Sequence, residues 1–140
     1  MNVEFIDTNI LIYAHDTGDK VKHSKAVELI RRLETSNTGA LSTQVLIEFV
    51  SVGISKLKID NKQLQDLVSD FAHWTIHRPT HAEILHAIVL HRSAKISWWD
   101  ALILNSAIQV GASILWSEDF QSNRRFGDLQ VINPFLEETH

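Results

Sequence analysis

Short apolar segments alternate along this chain with longer segments of helical periodicity, and this alternation restricts the fold more than any other feature. Four strand-like segments cover residues 3–6, 39–42, 113–116 and 129–132, and a weaker candidate covers 74–76. Between them lie segments with apolar residues at helical spacing, at 10–14, 21–33, 45–52, 64–71, 80–90 and 97–110. Strands that alternate with helices are typical of α/β proteins, in which each helix connects two parallel strands. The sequence therefore predicts an α/β fold with a mostly parallel sheet.

Capping residues mark several of these helix boundaries. Thr80 and Glu83 have the spacing of a capping box, and Ser97 with Asp100 resembles the same pattern with Asp in place of Glu. Asp7 or Thr8 is placed to cap the first helix. Gly111 is a natural end for the helix that precedes it.

The composition excludes several other classes of protein. Hydrophobic residues make up 44% of the 140 residues and charged residues 21%, which are ordinary globular values and not those of a disordered chain. Uninterrupted apolar runs reach only about five residues, far short of a membrane span. The absence of cysteine excludes disulfides and thiolate metal sites. No internal repeat, low-complexity tract or linker rich in Pro, Gly or Ser interrupts the chain, so we expect a single domain over residues 1–140. No basic or long apolar segment opens the chain, so we expect a cytoplasmic location without membrane association.

Four acidic residues lie in or next to the predicted strands and helices at positions from which they could form one site. Asp7 directly follows the first strand, and Asp119 follows the strand at 113–116. Asp100 lies in the first turn of a helix, and Glu48 lies inside another. Ligands of open parallel sheets bind outside the carboxyl ends of the strands. Four carboxylates converge there if the two helical acids point toward the same edge.

Converging carboxylates require a neutralising partner. At about 5 Å and an effective dielectric constant near 20, each pair of like charges costs on the order of 3 kcal/mol. A hard divalent cation with oxygen ligands, Mg²⁺ or Mn²⁺, relieves this repulsion. Displacement at phosphorus is the chemistry that uses such a centre, because the cation polarises the phosphoryl oxygen and activates water. The net charge of −4 argues against a protein that coats duplex DNA through a basic surface.

Each acid also has a purely structural interpretation. Asp7 and Asp100 are placed as helix caps, and Asp119 could be a turn residue. Glu48 is harder to explain in this way, because it lies between Ile47 and Phe49 in a helix that is apolar on nearly every face. Taken singly, these acids leave both interpretations open.

Taken together, the acidic segments resemble the four motifs of PIN domains, and more narrowly those of VapC-type toxin ribonucleases. The resemblance extends from Asn2 to about Phe135, and the order of the motifs along the chain is its specific part. The segments are Asp7-Thr8-Asn9-Ile10-Leu11, Glu48 in the helix after Ser42-Thr43-Gln44-Val45, Trp99-Asp100-Ala101-Leu102-Ile103 and Ser117-Glu118-Asp119-Phe120.

The resemblance implies a three-layer α/β/α sandwich with about five mostly parallel strands. It implies a Mg²⁺- or Mn²⁺-dependent endoribonuclease, usually a homodimer, which a partner antitoxin protein holds inactive. Asp7, Glu48, Asp100 and Asp119 would be its catalytic and metal-binding acids, with Asp7 and Asp100 as the direct ligands. Thr8, Asn9 and Ser117 would support them by hydrogen bonds. Glu118 lies where the family varies, and Trp98 and Trp99 stand where related chains often have smaller residues.

Two other groups of residues attract attention. Arg124 and Arg125 follow Asp119 closely and could hold an RNA backbone near the cation, although two arginines in a solvated loop are equally expected. His73 and His77 are four residues apart, but zinc needs three or four convergent ligands, so we do not expect a histidine site.

Two further functions remain open from the sequence. A small-molecule phosphatase with an aspartyl nucleophile needs a second Asp two residues after the first, where this chain has Asn9. A non-catalytic module that binds a metal or RNA for regulation would use the same acids only for its fold. Metal-dependent cleavage of RNA distinguishes the ribonuclease from both.

Overall fold

The computed structural model describes residues 2–136 and contains a six-stranded sheet with helices packed around it. The strands are β1 (Val3–Ile6), β2 (Gly39–Ser42), β3 (Thr75–His77), β4 (Ala112–Trp116), β5 (Arg125–Phe126) and β6 (Leu129–Ile132). The helices are α1 (Thr8–Tyr13), α2 (Lys20–Ser36), α3 (Thr43–Ser55), α4 (Asn61–Ser69), α5 (His81–Ala94) and α6 (Trp98–Gln109). Within residues 2–136, no helix combines the length and the apolar composition that a membrane span needs.

The sheet has the strand order β3-β2-β1-β4-β6-β5. All its neighbouring strands run parallel except β5 and β6, which form an antiparallel pair. The predicted α/β class with a mostly parallel sheet is confirmed. The strand β5 was not predicted, because a two-residue strand is too short to show a pattern in the sequence. Gly127, at φ +62°, makes the turn from β5 to β6.

Helices cover both faces of the sheet. Phe5 and Ile6 are successive residues of β1 and point to opposite faces, yet both are fully buried. Fully buried side chains of the neighbouring strands, among them Leu41 of β2 and Leu115 of β4, continue this core. On the helical side, α1 packs on α2 and α3, and α5 packs on α6. The α/β/α arrangement follows from a sheet with two apolar faces.

The strand order reverses at β1, which creates the crevice where a parallel sheet binds ligands. In the sheet, β2 and β3 lie on one side of β1, and β4, which comes later in the sequence, lies on its other side. The Asp7 N–H continues the pairing of β1 with β4 by donating to the Trp116 carbonyl at 3.0 Å. The residues that follow β1 and β4 therefore lie side by side at the carboxyl edge.

Gly39 at the start of β2 is required by close packing. A Cβ placed on Gly39 would lie 2.5 Å from the ring of Trp74, a buried residue whose indole N–H donates to Glu34. We expect Gly39→Ala to lower the free energy of unfolding by about 2 kcal/mol, since overpacking a core forces side chains from their preferred positions. Urea denaturation measures this loss. Gly18→Ala is the control, because an added Cβ there meets only the flexible side chain of Asp16; an equal loss in both variants would contradict the packing argument.

Candidate metal centre

Asp7 lies at the end of β1 and caps α1, and its carboxylate is held from two sides. The Thr8 N–H donates to Asp7 Oδ1 at 2.6 Å, and the Ser117 hydroxyl donates to Asp7 Oδ2 at 2.6 Å. The residue is only 3% exposed. The capping interpretation of Asp7 is correct, but capping does not require such burial. The Ser117 contact also ties the end of β4 to the end of β1.

Asp100 and Asp119 converge on Asp7 from two other elements. Asp100 lies in the first turn of α6, where its N–H donates to the Ser97 hydroxyl at 3.1 Å. Asp119 follows β4, and its N–H donates to the Ser117 hydroxyl at 3.1 Å. One carboxylate oxygen from each of the three aspartates lies within 4.8 Å of the others. Strand ends and a helix start thus bring together three acids that are far apart in sequence.

Glu48 lies beside this group and is connected to it through Thr8. From α3, its Oε1 accepts a hydrogen bond from the Thr8 hydroxyl at 2.8 Å and a longer one from Gln44 Nε2 at 3.4 Å. Its negative charge contributes to raising the pKa of Asp119. Glu48 therefore forms the outer edge of the acidic site.

Burial makes the three aspartates reluctant to ionise, and repulsion from neighbouring carboxylates adds to this effect at Asp7 and Asp119. Burial raises the pKa of Asp7 from 3.8 to about 7, against the opposing effect of the Ser117 hydrogen bond, and the charges of Asp119 and Asp100 raise it further. Partial desolvation raises the pKa of Asp100. It also raises the pKa of Asp119, with additional repulsion from Asp100 and Glu118. A bound cation would reverse the balance for all three carboxylates.

Asn9 supplies an independent sign that the site accommodates another group. Neither polar atom of its side-chain amide is solvent-accessible, and neither has a hydrogen-bond partner within residues 2–136. The side chain lies close enough to Asp119 to lower its pKa. Buried amide atoms are normally paired, so the Asn9 amide is suited to bind a group that enters the site. With carboxylate and amide oxygens as the available donors, the residues fit a hard divalent cation.

The two arginines lie outside the acidic group. Arg124 donates to the Ala94 carbonyl at 3.0 Å, and its guanidinium stacks 4.6 Å from the Phe126 ring centre. It thereby attaches the loop after β4 to the end of α5. Arg125 is exposed on β5, with one contact to Gln130 at 3.4 Å. Contact of either arginine with RNA stays a prediction.

Further side chains support the site, and their contacts were not predicted from the sequence. Lys22 Nζ of α2 pairs with Glu118 Oε2 at 2.8 Å, and the Tyr13 hydroxyl donates to Glu118 Oε1 at 2.9 Å. Glu118 stands between Ser117 and Asp119, so these contacts hold the loop that carries both. No local pattern reveals them, because the partners lie about a hundred residues apart in the sequence.

The side chains of His73 and His77 do not converge on one site, and the adjacent residues Trp98 and Trp99 differ in exposure. His73 contacts Glu34, whereas His77 contacts Glu83 and Ser106. Among the residues that the structure describes, the three aspartates form the one cluster of three or more acidic or histidine groups close enough to share an ion. Trp98 packs edge-on near His91 and Trp99 is 61% exposed, so the two neighbouring rings have different environments.

The same fold occurs in bacterial toxin–antitoxin proteins of known structure. VapBC2 from Rickettsia felis, solved bound to a DNA fragment from its promoter, matches with a TM-score of 0.65 and 24% identity over 92% of this chain and 96% of the other. A toxin–antitoxin complex from Klebsiella pneumoniae matches with a TM-score of 0.64 and 24% identity over 94% and 97%. VapC20 from Mycobacterium tuberculosis, a sarcin–ricin loop cleaving toxin, matches with a TM-score of 0.63 and 19% identity over 83% and 89%.

Comparison at the level of sequence gives the family. Among curated proteins, none matches the chain significantly. The family model of the PIN domain matches residues 5–126, a range that contains every acid of the site. This match covers most of the chain, and the structural neighbours include VapC toxins. The chain therefore belongs to the PIN domain family.

Proposed function

We propose that this protein is a metal-dependent endoribonuclease and the toxin of a toxin–antitoxin pair. The observation that carries the proposal is the convergence of Asp7, Asp100 and Asp119 within 4.8 Å, with Asp7 buried and its pKa raised to about 7. A cluster that repels itself in this way is costly to the fold, and a nuclease centre accounts for that cost. Membership of the PIN family supports the same function.

The proposed roles follow from burial and contacts. Asp7 and Asp100 hold Mg²⁺ or Mn²⁺ directly, and Asp119 completes the set directly or through water. The Ser117 hydroxyl orients two of these residues at once, because it donates to the Asp7 carboxylate and accepts from the Asp119 N–H. Thr8 donates to both Asp7 and Glu48, through its N–H and its hydroxyl. Asn9 offers its unpaired amide to the cation or to its water ligands.

Cleavage requires activated water and a stabilised leaving oxygen. A divalent cation, when bound, polarises the phosphoryl oxygen and lowers the pKa of water near it. The Glu48 carboxylate is oriented by Thr8 and Gln44 through one oxygen, which leaves its other oxygen to accept a proton from the attacking water. The three aspartates keep the RNA backbone away from the site until their charge is neutralised.

The test is RNA cleavage by protein that mass spectrometry shows to be free of any co-purified partner. Structured and single-stranded RNAs are incubated with Mg²⁺, with Mn²⁺ or with EDTA. We expect cleavage with either cation and none with EDTA. Equal cleavage in EDTA would contradict the metal-dependent mechanism, and intact RNA under every condition would favour a non-catalytic module.

Ser117→Ala tests the support of the carboxylates. The variant removes both hydrogen bonds of the Ser117 hydroxyl, so we expect a loss of about 10- to 100-fold in metal affinity or cleavage rate, the usual effect of removing a group that orients metal ligands. Ser113→Ala is the matched control in β4, the strand that Ser117 follows, since the Ser113 hydroxyl donates to the Val3 carbonyl at 3.3 Å and not to a carboxylate. Titration of cleavage against Mg²⁺ measures the effect. Identical titrations for the two variants would show that the Ser117 hydroxyl does not support the metal-binding carboxylates.

The proposed partners follow from the resemblance and from the named structures. Two of the neighbours were solved as toxin–antitoxin complexes, so we propose that a small antitoxin protein binds this chain and inhibits it. A second copy of the chain forms the proposed homodimer. A neighbouring gene for a small protein that suppresses cleavage would support the first partner, and sedimentation analysis tests the second.

A further inference from the structure

Glu118 is held by one residue of α1 and one of α2, neither of which has a part in the proposed metal centre. The Lys22 ammonium lies 2.8 Å from Glu118 Oε2, and the Tyr13 hydroxyl donates to Glu118 Oε1 at 2.9 Å. Lys22 also donates to the Tyr13 hydroxyl at 3.3 Å, so the three groups form a closed triangle. The side chains of Lys22 and Glu118 are only 32% and 22% exposed, so solvent screens this pair less than a fully exposed one. Both carboxylate oxygens of Glu118 are therefore fixed.

The position of Asp119, the next residue, depends on side-chain contacts. The other two aspartates of the cluster lie at the N-terminal ends of α1 and α6, whereas Asp119 lies in a loop. Within residues 2–136, no backbone N–H from residues 118–122 donates to a backbone carbonyl. The Asp119 N–H donates to the Ser117 hydroxyl, and Phe120 on the other side of Asp119 is buried. The contacts of Glu118 are thus the remaining support on the side that faces α2.

The segment after β6 packs against the same contacts. The Phe135 ring meets the Tyr13 ring edge-on with 5.0 Å between their centres. Lys22 Nζ lies 4.8 Å from the centre of the Tyr13 ring and 5.5 Å from that of Phe135. The Asn133 N–H donates to the Ser122 hydroxyl at 3.3 Å, so this segment also holds the far end of the loop. Two aromatic rings and a carboxylate thus surround the ammonium and favour a single position for it.

The requirements of α2 itself do not explain a lysine at position 22. Lys22 lies in the first turn of α2, which begins at Lys20. The N-terminal end of a helix carries a partial positive charge, so a cation there is unfavourable. The contact of the Lys22 backbone N–H with Asp19 Oδ1, at 3.1 Å, is available to any residue except proline. The ion pair with Glu118 accounts for the charge at this position.

We propose that Lys22 is a positioning residue of the metal centre: by fixing Glu118, it holds Asp119 where a divalent cation can bind it together with the other two aspartates. The proposal rests on the proposed metal-dependent function. It makes α2 a determinant of metal affinity, although no residue of α2 is a proposed ligand. Groups that orient metal ligands from outside typically change metal affinity by 10- to 100-fold.

Mn²⁺ binding measures this role without RNA. Wild-type protein and Lys22→Met are titrated with Mn²⁺, and electron paramagnetic resonance follows the free ion. We expect Lys22→Met to weaken binding by about 10-fold. Charge alone predicts tighter binding, because an unpaired Glu118 beside the site attracts a cation more strongly. Lys22→Arg should retain part of the affinity. Lys20→Met, which removes the same charge from an exposed residue of the same helix, is the matched control and should bind as the wild type does.

A combination with Glu118→Ala shows whether Lys22 acts through this carboxylate. Residues that act as one unit give non-additive effects, so Lys22→Met should weaken Mn²⁺ binding little further in the Glu118→Ala protein. Tyr13→Phe, which keeps the ring but loses the donor to Glu118, should weaken binding by a smaller factor. Unchanged or tighter binding by Lys22→Met, or additive effects in the combination, would overturn the proposal. Urea denaturation in EDTA measures folding separately, and a loss of stability without a loss of affinity would overturn it as well.

Cleavage assays separate failure of this inference from failure of the proposed function. Lys22→Met should raise the Mg²⁺ concentration at half-maximal cleavage by the same factor and should approach the wild-type rate at saturating Mg²⁺. A rise in KM for RNA at saturating Mg²⁺ would instead assign Lys22 to RNA contact and overturn the inference. If the wild-type protein binds Mn²⁺ in a way that depends on Lys22 but cleaves no RNA, the inference stands and the nuclease proposal fails. If cleavage requires a cation but its Mg²⁺ titration is unchanged in Lys22→Met, the nuclease stands and the inference fails.

Discussion

Asp7→Asn and Asp100→Asn should each reduce metal-dependent RNA cleavage by about three orders of magnitude or more. Each variant removes one negative charge from the group that holds the cation, and the cation accounts for several kcal/mol of transition-state stabilisation, with each 1.36 kcal/mol equal to a factor of ten in rate. Asn keeps the shape of Asp, so residue 7 can still cap α1, and the cap of α6 comes from the Ser97 hydroxyl and is not removed by the change at residue 100. Rates with purified proteins in Mg²⁺ and Mn²⁺ measure the loss.

Asp66→Asn is the matched control for this experiment. Asp66 is exposed on α4, away from the acidic group, and its replacement changes the net charge by the same amount. All three variants are purified identically, because traces of host ribonuclease can imitate weak activity. Wild-type rates in Asp7→Asn and Asp100→Asn would show that the cleavage arises from contamination or from a different site.

Metal-free wild-type protein should become less stable than metal-free Asp7→Asn as the pH rises from about 4 to about 7. The folded state holds the Asp7 proton up to about pH 7, whereas the unfolded chain releases it near pH 3.8. Stability falls with pH wherever the folded state binds more protons than the unfolded state. The difference of about three pH units corresponds to about 4 kcal/mol, because each unit is worth 1.36 kcal/mol.

Urea denaturation in EDTA at several pH values measures this difference between the two proteins. They should be most similar in stability below about pH 3, where Asp7 is mostly protonated in both states, and should separate fully above pH 7. Mg²⁺ at pH 7.5 should raise the stability of the wild-type protein but not that of Asp7→Asn, because an ion that binds the folded state stabilises it. A constant difference across this pH range, or equal stabilisation of both proteins by Mg²⁺, would contradict the account of Asp7 as a buried ligand.

The general fold could be predicted because its elements carry local signals. Alternating strands and helices predicted the parallel sheet, and the Thr80 capping box and Gly111 predicted helix ends that the structure contains. The turn at Gly127 and the short β5 were not predictable in this way. Arg125 and Phe126 form a strand only through their pairing with β6, a tertiary contact that leaves no pattern in the local sequence.

The candidate site was predictable to the extent that topology determines it. Asp7 and Asp119 follow strands that lie side by side, so their proximity follows from the strand order. The contacts of Thr8 with Glu48 and of Lys22 with Glu118 depend on how α3 and α2 pack, which the sequence pattern does not specify. For the same reason, the different environments of Trp98 and Trp99 became visible only in the structure.

The separation of Asp7 and Ser117 along the chain has a consequence for synthesis on the ribosome. These residues are 110 positions apart, and their hydrogen bond joins the end of β1 to the segment that follows β4. The strand β1 can pair with β4 only after β4 has been synthesised, and pairing between segments so far apart in sequence slows folding. A nascent or prematurely terminated polypeptide that ends before β4 therefore lacks both Ser117 and Asp119, so the acidic site is complete only after the residues beyond β4 have been made.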